Sequence, residues 1–410
     1  MFLFVIFSEH VHFFAGPFIP ALYTGAHLLA ARKVPLFLRV SGVLLLLAIS
    51  QIYPINITLF KNLSGPDMPA WLLKAQTTLF AALVMLFLFL LARDVLSLAA
   101  FLGRVLFRKK AAAAPPESPS RRNFLRGGLA AAFSMGTPAV SLAGGAVGVS
   151  AGTAYPGLHF TDAFLPSLPP ELEGLKIVQL TDIHIGPLTS ADKIRDMAAK
   201  AASVRPDLIC ITGDIADGLE GYRAENGGTR LEASRELAAL RASLGVWACT
   251  GNHEYYSDYS GWMSVYRSLG IRFLHNEAVT LTHKNTAFLL AGLDDPVGAG
   301  FAGARASSLS DVLSNHQKNE AFRLVMDHRP GRAHENAAAG AALQLSGHTH
   351  GGQCFGMDSF VARANRGFVR GWYTVDGMKL YVSPGAGLWS GFPVRLGVPA
   401  EIAAITLRRR

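Results

Sequence analysis

The stretch Gly347-His348-Thr349-His350-Gly351-Gly352-Gln353 decides how this chain is read. It follows Ala342–Leu345, an apolar run with the look of a strand. An H-x-H spacing on extended backbone sends both imidazoles to one side. The surrounding glycines let the main chain pass close to a cation. Neither histidine has a packing role beside three glycines, so metal ligation accounts for the run better than a core does.

Four more clusters stand upstream, each after a β-branched apolar stretch: Asp182-Ile183-His184, Gly213-Asp214, Gly251-Asn252-His253-Glu254 and Asp327-His328. Taken singly, each has a plainer reading. D-x-H recurs by chance, Asp214 could cap the segment after it, Gly251-Asn252 could be a turn, and a lone His328 could be structural. Taken in order, they set carboxylates, imidazoles and one amide at the ends of successive strands. Such hard and borderline donors suit two divalent cations of the first transition row, with Mn, Fe, Zn and Ni all compatible. Two cations side by side suit attack on a phosphate ester.

Strands expected at Leu175–Leu180, Asp207–Thr212 and Leu244–Thr250 alternate with helical patterns at Ser190–Ser203, Leu231–Ala242 and Gly261–Leu269. Further strands are expected near Ile271–Phe273, Ala278–Thr282, Ala287–Ala291, Phe322–Met326, Ala342–Leu345, Met378–Val382 and Ile402–Leu407. Alternation early and strands late predict an α/β domain of mixed sheets covered by helices.

The series D-x-H, G-D-x-x-D, G-N-H-E, an isolated histidine and G-H-T-H-G-G-Q resembles the calcineurin-like metallophosphoesterases, over residues 157–408. It is most similar to a membrane-anchored bacterial subgroup, through Asp182–Gly186, Asp327–Pro330, Tyr381–Gly385, Pro393–Gly397 and the segment Tyr23–Ala31. The resemblance implies two packed mixed β-sheets flanked by helices, in a domain expected over 157–410, and a hydrolase acting on phosphoric esters. It implies one metal on Asp182, His184, Asp214 and His350, and a second on Asp214, Asn252, His328 and His348. His253 would serve the leaving oxygen as a catalytic residue, with Asp217 orienting it. Substrate is not encoded in these motifs.

The N-terminal region has a different chemistry. The chain has 410 residues, half of them hydrophobic, and a mean hydropathy of +0.28. Three apolar stretches, Phe13–Ala31, Pro35–Phe60 and Pro69–Leu91, each reach the roughly 20 residues that a helix needs to cross a bilayer. A fourth, over 127–151, is paler and rich in Gly and Ala. We therefore expect three spans within 1–110, a linker over 111–126, and a fourth span or signal-like segment over 127–151. No charge pair is evident within the spans, which argues against a transporter.

The net charge of +9 belongs to this region. Residues 1–130 carry 13 Lys and Arg against 4 Asp and Glu, and the remainder is balanced. A balanced C-terminal domain has no basic face for nucleic acid, so none is expected as a partner. Cations cluster at Arg32-Lys33, at Arg93 to Lys110, and at Arg121, Arg122 and Arg126. Cationic loops stay in the cytoplasm. That pattern predicts a multi-pass protein of the bacterial inner membrane with its catalytic domain on the periplasmic or outer face. Ser120-Arg121-Arg122-Asn123-Phe124-Leu125 resembles a twin-arginine export signal; two positive-inside arginines are the plainer account, and both readings stay open. Cys210 and Cys249 fall in expected core strands, and none of the three cysteines forms a close pair, which excludes a thiolate zinc site.

A domain tethered to a membrane favours a phosphodiester or lipid-linked phosphate at the bilayer surface. The alternatives are a phosphomonoesterase or nucleotidase on soluble substrates, and a non-catalytic membrane sensor that keeps its metal site. Arg329, Arg363, Arg366 and Arg395 are candidates to hold substrate phosphate. Trp372, Tyr373, Trp389 and Phe392 are candidates for an apolar rim.

Overall fold

A computed structural model describes residues 16–60, 67–106, 119–218, 230–302, 308–314, 316 and 320–409. The chain divides into two compact units, residues 1–59 with 74–149, and residues 60–73 with 150–410.

The first unit is helical. Phe18–Ala30 packs against Leu36–Ser50. Leu36–Ser50 and Ile52–Phe60 are bent by 50°. Pro54 explains the bend, because it cannot donate to the carbonyl of Ser50 and its ring crowds that carbonyl. Ala70–Leu106 runs for 37 residues, longer than the apolar stretch that announces it. It is long and apolar enough to cross a membrane, and the bent pair is a second such element if it forms one span. Residues 111–118 of the expected linker lie outside the described residues. Its last residues, with the arginine motif, begin the helix Pro119–Gly152, which has Pro138 inside it.

One cluster of this unit is centred just past the expected third span, which ends at Leu91. Arg93 and Asp94 form an ion pair at 2.7 Å. Asp94 also accepts from the Tyr23 hydroxyl at 2.7 Å and lies 2.8 Å from His27 Nε2. No local pattern could join residues so far apart in the chain.

The second unit holds two six-stranded mixed sheets. We number its strands β1 (Gly157–Leu165), β2 (Lys176–Leu180), β3 (Leu208–Thr212), β4 (Val246–Cys249), β5 (Arg272–Phe273), β6 (Glu277–His283), β7 (Thr286–Leu293), β8 (Arg323–Asp327), β9 (Leu343–Ser346), β10 (Gly371–Val375), β11 (Met378–Val382) and β12 (Glu401–Arg409). One sheet has the order β1-β12-β2-β3-β4-β5 and the other β10-β11-β9-β8-β7-β6. In the first, β2, β3, β4 and β5 are parallel neighbours. In the second, β7, β8, β9 and β11 are.

Alternation along each strand builds the layers. Ile177, Leu208, Cys210, Cys249, Leu290, Leu324, Met326, Leu345 and Ile405 fill the space between the sheets. Their chain neighbours Val178, Ile209 and Ile211 face Ile194, Met197, Trp262 and Tyr266 of the covering helices. Leu289, Ala291, Val325, Leu380 and Val382 face the other way, under Val312 and Ala333. Parallel strands buried on both faces read as unbroken apolar runs, which is why these were visible in the sequence. Cys210 and Cys249 are the small buried residues expected. The helix Ala191–Ser203 begins where the sequence places it, with Ser190 accepting from the Lys193 amide.

Two strands escape sequence reading. β1 and β10 sit at sheet edges, and most of their side chains are exposed or half-buried. Without a buried face, no periodicity marks them. The helix expected over Leu231–Ala242 is shorter, Arg230–Arg235, and tightens into a 3-10 turn over Glu236–Ala239.

Candidate metal centre

Parallel strands leave unpaired loops at their C-terminal ends, where α/β sheets bind ligands. Here β2 delivers Asp182 and His184, β3 delivers Asp214, and β4 delivers Asn252 and His253. From the second sheet β8 delivers His328, and β9 delivers His348 and His350. All but His348, which is half-buried, are buried.

Reaching one point from five strand ends demands unusual backbone. Asp182, His184, Asp214, His348 and His350 all have positive φ, between 48° and 69°. That region is sparsely populated for non-glycine residues and persists only where the surroundings enforce it. Main-chain bonds Asp182 N–H to Gly213 O and His184 N–H to Asp214 O, both 3.1 Å, tie the first two loops together. Gly251 and Gly347 make the approach possible: a Cβ on the first would overlap the Asp214 carboxylate, and on the second the Asp182 carboxylate.

The side chains converge. Asp214 Oδ2 lies 3.2 Å from His328 Nε2 and 3.7 Å from His184 Nε2. Asp182 Oδ1 lies 3.9 Å from His184 Nε2 and 3.6 Å from His350 Nε2. Three of these are too long for good hydrogen bonds. They match the ligand-to-ligand spacing of about 3.4 Å that follows from donors about 2.1 Å from one ion. Asp182, His184 and His350 form one group able to hold an ion, and Asp182, Asp214 and His328 form another. His348 stacks edge-on beside His328, with ring centroids 5.2 Å apart.

Buried donors are left over. Among the described residues, His184 Nε2, Asn252 Oδ1, His328 Nε2 and His350 Nδ1 have no hydrogen-bond partner. Each such orphan costs about 1–3 kcal/mol, and several of them beside two buried carboxylates make a donor set that suits cations. The outer nitrogens are occupied. His328 Nδ1–H donates to Thr212 O at 2.7 Å, and His184 Nδ1 is 3.1 Å from both Asp217 oxygens. Such bonds fix the tautomer and aim the other nitrogen inward. The residues present therefore fit two divalent cations.

Asp217 was expected to orient His253, and its Oδ1 lies 2.7 Å from His253 Nδ1. It also braces His184, which the sequence did not suggest. Glu254 is a further residue without an expected role. Its carboxylate accepts from the amides of Asp214 (2.9 Å), Ile215 (2.7 Å) and Gly251 (2.6 Å), locking two loops together. The motif G-N-H-E contains it, but nothing local says where it points.

Electrostatics set the protonation pattern of the metal-free chain. Burial pushes His253 down, yet Asp217 and Asp214 outweigh it and hold its pKa up to about 9. Burial likewise opposes His328, which Asp214 holds up to about 10. Burial raises Asp217, but the His184 and His253 charges bring it down to about 2. Burial, then the neighbouring His328 charge, push His348 well down, and burial with His184 does the same to His350.

The candidate arginines separate. Arg395 is fully buried and donates to the carbonyls of Pro384 (2.6 Å) and Gly387 (2.9 Å), so it braces a loop. Arg366 pairs with Glu335 on the surface, and Arg363 is exposed. Arg329, next to His328, is held by Asp295 at 2.6 Å and stays part-exposed. Of the candidate rim, Trp372 lies tilted against Tyr381, with ring centroids 4.8 Å apart, and Tyr373 meets Phe368 edge-on at 5.1 Å. Trp389 reaches His253, with ring centroids 5.9 Å apart.

Two mixed sheets thus bring carboxylate, imidazole and amide donors together at the C-terminal ends of their parallel strands. Residues 175–352 match the model of the calcineurin-like phosphoesterases. The chain is 33% identical over 258 residues to a bovine transmembrane protein with metallophosphoesterase domain, covering 59% of this chain and 54% of that one. It is 31% identical over 261 residues to an uncharacterized metallophosphoesterase of Campylobacter jejuni, covering 62% and 63%. It is 30% identical over 238 residues to an uncharacterized metallophosphoesterase of Aquifex aeolicus, covering 57% and 85%. The chain belongs to the calcineurin-like phosphoesterase family. It spans about half the length of the first curated relatives it matches.

Proposed function

We propose that this protein hydrolyses a phosphate ester with two divalent cations at the convergence of β2, β3, β4, β8 and β9. Asp182, His184, Asp214 and His350 would hold the first, and Asp214, Asn252, His328 and His348 the second. The observation that carries this reading is the set of buried, unpartnered donors around Asp182 and Asp214 at coordination spacing.

When bound, the cations supply Lewis-acid activation of a water and of the phosphoryl group. The residues of the chain do the rest. In the metal-free chain Asp217 and Asp214 hold the His253 pKa up to about 9, and Asp217 takes its Nδ1–H. Nε2 is left to give a proton to the leaving oxygen as the P–O bond breaks. The Asp217 carboxylate then steadies the ring as its charge changes.

The substrate class we favour is a phosphodiester or lipid-linked phosphate at a membrane surface. A helix able to cross a bilayer and relatives named as transmembrane proteins support it. In this reading residues 1–110 anchor the chain with three spans, 127–151 form a fourth span or a signal-like segment, and 157–410 hydrolyse the ester on the periplasmic or outer face of a bacterial inner membrane. A non-catalytic sensor that keeps its metal site would have no need of the His253–Asp217 pair, which favours hydrolysis.

The test uses the full chain in detergent with manganese, zinc, iron or nickel. Asn252→Ala and His350→Ala should lose bound metal and hydrolysis of a chromogenic phosphodiester together. Inert wild-type protein on mono- and diesters would refute the reading. A lipid substrate requires the rate to drop when acyl chains are removed, and unchanged rates would reject it.

A further inference from the structure

His253 is walled by aromatic rings on its outer side. Tyr256 meets it edge-on with ring centroids 5.6 Å apart, and Trp389 does so at 5.9 Å. Its inner neighbour is His184, at 4.6 Å. Beyond Tyr256 stands Phe301, 6.1 Å away and 60% exposed. Tyr256 and Trp389 are themselves part-exposed.

The three rings come from three different loops: after β4, after β7 and after β11. No single amphipathic element explains their meeting. Each is also held. The Arg329 guanidinium lies close enough to act on the Tyr256 hydroxyl, and Asp295 anchors it. Helix Val297–Ala302, which carries Phe301, seats against Tyr255 because Gly298 has no Cβ to strike that ring. Trp389 folds back over Gly391, where a Cβ would overlap the indole. Fixed aromatic surface left open to solvent beside a buried imidazole is the composition of a ligand site.

Building on the reading of the metal centre given above, we propose that Tyr256, Trp389 and Phe301 form a leaving-group subsite. It selects phosphate esters whose leaving alcohol carries an apolar or aromatic body. The geometry follows from the role of His253. A group that receives its proton there must extend outward past Tyr256 and Trp389 toward Phe301. An acylglycerol and a nucleoside share the needed chemistry, the first by apolar contact and the second by stacking.

The experiment compares matched methyl phosphodiesters on the full chain in detergent with manganese. One pair is hexanoylglycerol against glycerol, and the other adenosine against ribose; within each pair the leaving oxygens are of near-equal acidity. Wild type should prefer the bulkier member of at least one pair by about tenfold in kcat/KM, as expected for one good ring contact. The pair that shows it separates lipid from nucleoside. Trp389→Ala and Phe301→Ala should each erase most of that preference; Phe301 is a surface residue, so its variant keeps the fold. Turnover of all four esters without preference, or a preference that survives both variants, overturns the subsite and leaves the hydrolase intact. No turnover of any ester sinks the hydrolase reading and the subsite together.

Discussion

Asp217 Oδ1 stands 2.7 Å from His253 Nδ1, and the same carboxylate reaches His184 Nδ1 at 3.1 Å. One buried anion thus orients two imidazoles, which in the proposed mechanism would have different tasks, His184 toward an ion and His253 toward the leaving group. Asp217→Asn should lower kcat about 10²-fold or more through His253. It should also weaken metal binding about 10- to 100-fold through His184. Titration calorimetry with manganese alongside steady-state rates reads both. Unchanged metal affinity would confine Asp217 to His253.

Glu254 acts on the backbone instead. Its two oxygens serve three amides from two loops. Glu254→Gln keeps one acceptor oxygen and turns an NH2 toward amide donors. A loss of about 1–3 kcal/mol is expected, visible as a lower melting temperature that added metal does not fully restore. A variant melting with wild type would show the brace to be unimportant.

If His328 holds a cation as proposed, metal and protons would compete for it. In the metal-free chain His253 and His328 have pKa values raised to about 9 and about 10, above the ordinary 6.5. Groups raised on folding contribute stability that is complete below the ordinary value and lost as pH climbs through the raised one. The chelated protein should therefore melt at progressively lower temperature between about pH 7 and pH 10. Manganese should blunt that fall, because the cation replaces the proton. A chelated protein with a flat melting profile over this range would contradict the assignment.

Arg395 gives a contrasting case. Its guanidinium satisfies carbonyls of the Pro384–Gly387 loop, beside Asp182. Arg395→Met strands several buried acceptors, and a loss of at least about 3 kcal/mol is expected. KM of the folded fraction should not move. A stable variant with a raised KM would make Arg395 a substrate ligand after all.

Much of the site was legible because its signals are local. Strand-end clusters such as Asp182-Ile183-His184 and His348-Thr349-His350 show donor type within a few residues, although their backbone is left-handed at all four donors and not extended as the spacing suggested. Buried parallel strands such as β3 and β8 announce themselves by unbroken apolar runs. Edge strands β1 and β10 do not, since a strand with one partner and exposed side chains has no hydrophobic period to read.

What the chain alone determined was the inventory: which donors exist, that they end strands, and that an apolar N-terminal third precedes an electrically balanced domain. Only the tertiary structure decided partnership. Packing across two sheets brings Asp217 under two histidines, swings Glu254 onto amides of a neighbouring loop, buries Arg395 as a brace, and sets Trp389 beside His253. Side-chain chemistry and spacing are properties of a few adjacent residues, whereas contact between distant ones depends on how sheets stack and loops close.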